Sequence, residues 1–121
     1  MFKLVVAGGR EFNDYALLEQ ELNYILKDYQ PEEIEIVSGG ARGADRLGEK
    51  FALENEYKLT RFPADWERWG NSAGYRRNSE MSKYSDGCIA FWDQRSKGTK
   101  HMIDLATKEG ILLKVVKYER G

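Results

Sequence analysis

Residues 33–45, EIEIVSGGARGAD, join a short apolar run to a glycine-bearing turn and then to the start of a helical pattern. Residues 33–38 are typical of a buried strand. The next segment has small and apolar residues at helical spacing, namely Ala44, Leu47, Gly48, Phe51 and Ala52. A strand followed by a tight turn and a helix predicts one βα unit of a parallel sheet.

The same alternation extends through the chain in both directions. Strands are predicted at residues 2–7, 33–38, 57–62, 87–92 and 111–117. Four helical segments lie between them, and the segment 73–84 is polar but has helical period. Because parallel crossovers are right-handed, we expect a single α/β domain over residues 1–121, a Rossmann-like three-layer sandwich. Its five-stranded parallel sheet has the predicted order 3-2-1-4-5, with helices on both faces.

Composition restricts the function. The 121 residues include 19 basic and 20 acidic ones, which argues against a surface built to grip duplex DNA but leaves room for a local basic site. No apolar run approaches the roughly 20 residues that span a bilayer, and the amino terminus lacks a signal peptide. We therefore expect a cytoplasmic protein with no membrane partner. Cys88 is the only cysteine, so we expect a buried thiol and no disulfide. The sequence shows no cluster of metal ligands, so we expect no metal site. We also expect no required cofactor.

Three glycine-bearing turns follow predicted strands: residues 8–10, 38–45 and 96–99. Glycine lets backbone N–H groups approach a ligand, and a following helix N-terminus favours a phosphate. Any one of these turns alone is better explained by tight chain reversal. Three turns on one sheet edge favour an anion site. Their spacing fits neither a Walker A loop nor the full G-x-G-x-x-G fingerprint, so kinase-like phosphoryl transfer is not expected.

Side chains at this edge extend the prediction. Asp45 either stabilises a helix N-terminus or contacts a ribose hydroxyl, Arg42 or Arg46. Thr99 is either a ligand contact or a helix N-cap, and His101 is expected to face solvent. Cations and aromatic rings are concentrated in residues 66–78, a mixture that suits a nucleotide. The predicted ligand-binding residues are Gly8, Gly9, Arg10, Ser38, Gly39, Gly40, Arg42, Gly43, Asp45, Arg77, Asn78, Gly98 and Thr99.

Four motifs in fixed order carry a family resemblance: residues 6–10, 37–45, 73–81, and 90–93 followed by 96–99. Together they resemble the YspA-type branch of the SLOG superfamily over most of the chain. The resemblance implies a domain that binds a nucleotide or a nucleotide-derived ligand, as a sensor or an accessory factor in nucleic-acid-linked metabolism. It also implies a bacterial or phage origin and a homodimer.

Two related groups suggest different functions. DprA-type proteins carry a turn similar to residues 38–45 and an Arg-Asn pair like Arg77-Asn78, which implies a single-stranded nucleic acid as a partner. LOG-type phosphoribohydrolases resemble the chain at Arg77, Met81 and Gly98-Thr99. Met102 occupies the place of their glutamate, which puts LOG-type hydrolysis in doubt. A nucleotide hydrolase acting on an N-glycosidic or phosphate-ester bond stays an alternative, with Glu11, Asp65 or Asp93 as the catalytic carboxylate.

Overall fold

The computed structural model describes residues 1–119. Its strands are β1 (Phe2–Gly8), β2 (Ile34–Ser38), β3 (Lys58–Arg61), β4 (Gly87–Trp92) and β5 (Leu112–Lys117). Its α-helices are α1 (Tyr15–Leu26), α2 (Ala44–Glu54), α3 (Trp66–Trp69), α4 (Ala73–Tyr84) and α5 (Lys97–Glu109). Short 3-10 turns occupy Pro31–Glu33 and Gly70–Ser72. None of the helices within these residues is both long and apolar enough to cross a membrane.

All five described strands form one parallel sheet in the order β3-β2-β1-β4-β5, which confirms the predicted topology. The central strand β1 pairs on both sides, with Val5 opposite Val37 in β2 and opposite Cys88 in β4. The chain proceeds outward from β1 to β2 and β3, then returns to the other side of β1 with β4. This reversal places a topological switch point at the carboxyl ends of β1 and β4, where ligands bind in open α/β sheets.

Successive residues of the central strands point to opposite faces, so each face has its own core. Leu4, Val6 and Ile89 pack with α1 and α2, whereas Val5 and Val37 pack with α4 and α5. This arrangement confirms the three-layer sandwich. Because the central strands are buried on both faces, they consist of near-continuous apolar runs.

Local chemistry explains the start of α1 and the end of α5. The Asp14 carboxylate accepts a hydrogen bond from the Leu17 N–H at 3.0 Å and caps α1. Gly110 ends α5 in the left-handed conformation, with φ of +70°. The four predicted helices are present as α1, α2, α4 and α5, and the described residues contain one further helix, α3, of four residues. A single helical turn is too short to produce a hydrophobic repeat in the sequence.

Candidate functional site

Two adjoining clefts open at the carboxyl edge of the sheet. The first, the switch-point cleft, lies between the ends of β1 and β4 and has a volume of about 390 Å³. The second, the β2–β3 cleft, lies beyond the ends of β2 and β3 and has a volume of about 710 Å³. Arg10, Ala41, Arg42 and Arg77 line both clefts and form their shared wall.

The structure brings most predicted ligand-binding residues together. Those that line the switch-point cleft are Gly8, Gly9, Arg10, Arg42, Asp45, Arg77, Asn78, Gly98 and Thr99. Gly39 and Gly40 line the β2–β3 cleft instead. Ser38 and Gly43 are not among the lining residues of either cleft. Nine of the thirteen predicted residues therefore line the switch-point cleft and two line only the β2–β3 cleft, whereas Ser38 and Gly43 belong to neither lining.

The Arg77 side chain is held in place at the shared wall by Gly39, Asn78 and Asp45. Its Nη1 donates to the Gly39 carbonyl oxygen at 2.5 Å, and its Nε donates to Asn78 Oδ1 at 3.0 Å. Asp45, which is only 7% exposed, attracts the Arg77 guanidinium. These contacts fix the orientation of a half-buried cation, which favours recognition of an anionic group.

The expected contact of Asp45 with Arg42 or Arg46 is wrong. Arg42 instead pairs with Glu11 at 2.9 Å, and Arg46 Nε donates to the Gly40 carbonyl oxygen at 3.0 Å. Both arginines are at the surface, whereas the Asp45 carboxylate is buried. The sheet brings Arg77 to it from α4, which is distant in sequence.

Asp45 also gives the site a measurable pH dependence. Burial raises its pKa to about 6, although the hydrogen bond from the Ala41 N–H and the attraction of Arg77 oppose the shift. The folded state therefore keeps a proton that the unfolded chain, with a carboxyl pKa near 4, has already lost. The contribution of Asp45 to stability is therefore largest when its carboxyl is protonated, and it falls as pH rises from about 4 to about 6.

We expect the free energy of unfolding of the wild type to fall by about 2 kcal/mol between pH 4 and pH 6, relative to an Asp45→Asn variant. Asparagine keeps an oxygen that can accept from Ala41 but carries no charge. Urea unfolding of both proteins at pH 4, 5, 6 and 7 measures the difference. Parallel pH curves for the two proteins would contradict the assignment.

The turn after β2 satisfies much of its own backbone. The buried Ser38 hydroxyl donates to Glu49 Oε2 at 2.7 Å and accepts from the Gly40 N–H at 3.0 Å. The Ala41 N–H donates to Asp45 Oδ2 at 3.3 Å, and the Ala44 N–H donates to the Gly9 carbonyl at 3.3 Å. These N–H groups are thus engaged within the protein, and arginine side chains supply most of the positive charge in this part of the site.

Glycines in these turns serve two different purposes. A Cβ at Gly43 would lie 2.3 Å from the Gly9 carbonyl oxygen, and a Cβ at Gly8 would lie 2.6 Å from Ala44 Cβ. Both glycines are required for close packing of the first two turns. At Gly98, by contrast, a Cβ would meet no atom within 4 Å. The expectation that glycine leaves room for a ligand fits Gly98, on the opposite wall, most directly.

That opposite wall is formed by the start of α5. Ser96, not Thr99, is the helix N-cap, since Ser96 Oγ accepts from the Thr99 N–H at 3.3 Å. The N-cap alternative for Thr99 is therefore wrong. The Thr99 hydroxyl lies 2.9 Å from Ser96 Oγ and is buried, although Thr99 still borders the cleft. A serine three residues before Thr99 was the sequence signal for this cap.

The sequence predicts that His101 faces solvent, but the structure places its ring against Tyr75 and Asn78. Its ring packs edge-on against Tyr75 with centroids 4.5 Å apart, and its Nδ1 lies 3.3 Å from Asn78 Nδ2. Partial burial lowers the pKa of His101. His101 thus supports the Asn78 amide at the cleft, a role that its position on a polar helix segment did not reveal.

The three carboxylates considered for catalysis lie in different environments. Glu11 and Asp93 line the switch-point cleft, and Glu11 is paired with Arg42. Asp93 Oδ1 accepts from the N–H groups of Arg95 and Ser96, each at 2.8 Å. Asp65 is not a lining residue of either cleft, and it caps α3 by accepting from the Arg68 N–H at 3.1 Å. Within residues 1–119, no His, Cys, Asp and Glu side chains cluster in a way that could hold a metal ion.

Residues 2–69, more than half of the chain, match the model of the YAcAr family, described as the YspA, cpYpsA-related SLOG family. The chain belongs to this family. The YspA-type chain is also 35% identical over 117 residues to the Gene 61 protein of Mycobacterium phage D29, covering 92% of the chain and 93% of that protein. The resemblance inferred from the four motifs is confirmed.

Solved structures of DNA processing protein A (DprA) share the fold of this YspA-type domain. DprA from Streptococcus pneumoniae superposes with a TM-score of 0.78 at 20% identity, covering 98% of the chain but 51% of DprA. DprA from Helicobacter pylori superposes with a TM-score of 0.69 at 20% identity, covering 98% and 66% respectively. The latter structure was determined to explain how that protein binds single-stranded DNA. At 20% identity, the similarity to both DprA structures shows a shared fold alone.

Proposed function

We propose that this YspA-type domain binds a nucleotide-derived ligand in the switch-point cleft, with a phosphate of the ligand against the shared wall. One observation carries the proposal. Arg10, Arg42 and Arg77 come from three separate segments and converge on the same wall, at the edge where open α/β sheets bind ligands. Guanidinium groups pair with phosphate oxygens through two parallel hydrogen bonds.

The rest of the cleft suits the uncharged parts of a nucleotide. Glu11, Asp45 and Asp93 line it together with the three arginines, so the formal charges balance among the described lining residues when all three carboxyls are ionised. Carboxylates accept hydrogen bonds from ribose hydroxyls or base amines, and the Asn78 amide can both donate and accept. A ligand with one anionic end and several donor groups fits this lining better than a bare polyanion.

A ligand series tests the proposal directly. Isothermal titration with AMP, adenosine, ribose 5-phosphate and inorganic phosphate should give the highest affinity for AMP, because only AMP combines a phosphate for the arginines with both a ribose and a base for the polar lining. Adenosine binding as tightly as AMP, or no binding by any of the four, would contradict it. Chromatography of the same samples measures free base and phosphate. If free base or phosphate is released, and the Asp93→Asn or Glu11→Gln variant abolishes that release, the hydrolase alternative is favoured.

A single-stranded nucleic acid is the second candidate ligand. The observations that favour it are the fold shared with DprA and the additional arginines of the β2–β3 cleft. Binding of this kind predicts an affinity for oligonucleotides that falls steeply with salt, because each phosphate contact releases counterions. Affinity for AMP should change much less over the same salt range.

A further inference from the structure

We propose that the β2–β3 cleft is a second nucleotide subsite, so that the preferred ligand contains two nucleosides joined through phosphate. The inference rests on the proposed function, since the first nucleotide occupies the switch-point cleft. It assigns a ligand-binding role to Trp66, Arg46 and Arg61, which the first cleft does not use.

The β2–β3 cleft adds Arg46 and Arg61 to the three arginines of the shared wall. Among the residues that the structure describes, five arginines line the β2–β3 cleft, and Glu49 is the one carboxylate in its lining. Arg61 Nε lies 3.1 Å from Glu49 Oε1, Arg42 is paired with Glu11, and Arg77 is attracted by Asp45. In the described part of the chain, the cation that this cleft adds without a carboxylate contact is Arg46, whose Nε donates to the Gly40 carbonyl oxygen. The chain as a whole has a formal net charge of −1. A guanidinium at the Arg46 position favours an additional phosphate group of the ligand.

The clefts also adjoin each other. The wall that they share includes Arg10, Arg42 and Arg77, so a phosphate held there lies at the entrance to both cavities. Gly40 lies beside this wall with φ of +76°, and a Cβ at this position would meet no atom within 4 Å. No side chain at Gly40 obstructs a ligand that passes from one cleft to the other.

Trp66 offers a stacking surface in the second cleft. Its side chain lines the cavity and is 53% exposed, and Asp65 fixes the start of its helix. Within residues 1–119, no aromatic pair or cation–π pair engages the Trp66 ring. Trp69, by contrast, is already covered by Arg68 at 4.7 Å and Arg76 at 3.7 Å. An indole face beside several arginines suits a base attached to a phosphate.

The same chemistry is found in a free dinucleotide and in two consecutive residues of a single strand. A length series separates these sources: AMP, the dinucleotide pApA, and the oligomers (pA)4 and (pA)8. We expect pApA to bind about tenfold more tightly than AMP, the usual scale of one base stacked on an aromatic ring. Affinity that stops increasing at two residues identifies a dinucleotide ligand, and affinity that increases further identifies a strand. Equal affinity for AMP and pApA would overturn the inference.

Two tryptophan variants locate the second subsite. Trp66→Leu should remove the gain from AMP to pApA while leaving AMP affinity unchanged, which also shows that the protein is folded. Trp69→Leu is the matched control and should keep the gain. Arg61→Gln should reduce the gain without affecting AMP. Loss of the gain in the Trp69 variant, or its retention in both the Trp66 and Arg61 variants, would overturn the assignment.

The two proposals fail in different ways. If AMP does not bind the wild type, the proposed function is wrong for the switch-point cleft. If AMP binds and pApA is no tighter, the switch-point cleft stands and the second subsite is wrong.

Discussion

Replacing Gly43 with alanine is expected to lower the free energy of unfolding by about 4 kcal/mol. Gly43 has φ of +85° and ψ of −130°, a region that essentially only glycine adopts. The new Cβ would also lie 2.3 Å from the Gly9 carbonyl oxygen and 2.7 Å from Arg10 backbone atoms. Both obstacles are backbone, so relief requires the turns after β1 and β2 to separate.

Urea unfolding at pH 7 measures this loss, and Gly98→Ala provides the matched control. Gly98 is the second residue of α5, where a Cβ meets nothing within 4 Å. Alanine there should leave stability unchanged or raise it by up to about 1 kcal/mol. Similar stabilities for the Gly43→Ala and Gly98→Ala variants would show that contact between the two turns does not hold the site together.

The arrangement of the sheet was predictable because its signals are local and repeated. The apolar runs that became β1, β2 and β4 are each followed by a glycine or polar turn, and the handedness rule then leaves few strand orders. The short helix α3 was not predictable, since a single turn produces no repeat. Asp65, the N-cap of α3, is a candidate catalytic carboxylate on sequence alone, because the sequence shows only that it lies near the sheet edge. The hydrogen bond that it accepts from the Arg68 N–H is visible only in the structure.

The candidate site was predictable as a set of positions but not as a set of contacts. Gly43 and Gly98 look alike in the sequence, yet one glycine makes room for the neighbouring turn and the other borders an open cleft. The partner of Asp45 was missed for a related reason. Arg42 and Arg46 are its neighbours along the chain, whereas Arg77 reaches it only through the packing of α4 on the sheet. Long-range contacts of this kind depend on how the helices are placed, which no spacing rule specifies.

Arg77→Gln should lower the affinity for AMP about 100-fold, or about 2.7 kcal/mol. Arg77 lines both clefts and is held by Gly39 and Asn78, so its loss removes the best oriented cation of the shared wall. Glutamine keeps hydrogen-bonding groups but not the charge. Arg76→Gln is the matched control, because Arg76 is the adjacent residue on α4, stacks on Trp69 and is not a lining residue of either cleft.

Stability measurements separate binding by Arg77 from its structural effect. Removing the cation leaves the Asp45 carboxylate buried without its attraction, so the pKa of Asp45 should rise above its present value of about 6. At pH 7 the Arg77→Gln variant should therefore be less stable than the wild type, and adding Asp45→Asn should restore stability because no buried charge remains. AMP affinity should stay low in this double variant. The reference for this comparison is the Asp45→Asn single variant, because Asp45 also lines the cleft. If the double variant binds AMP as tightly as Asp45→Asn does, Arg77 acts by maintaining the fold of the turn; if it binds about 100-fold more weakly, Arg77 binds the phosphate itself.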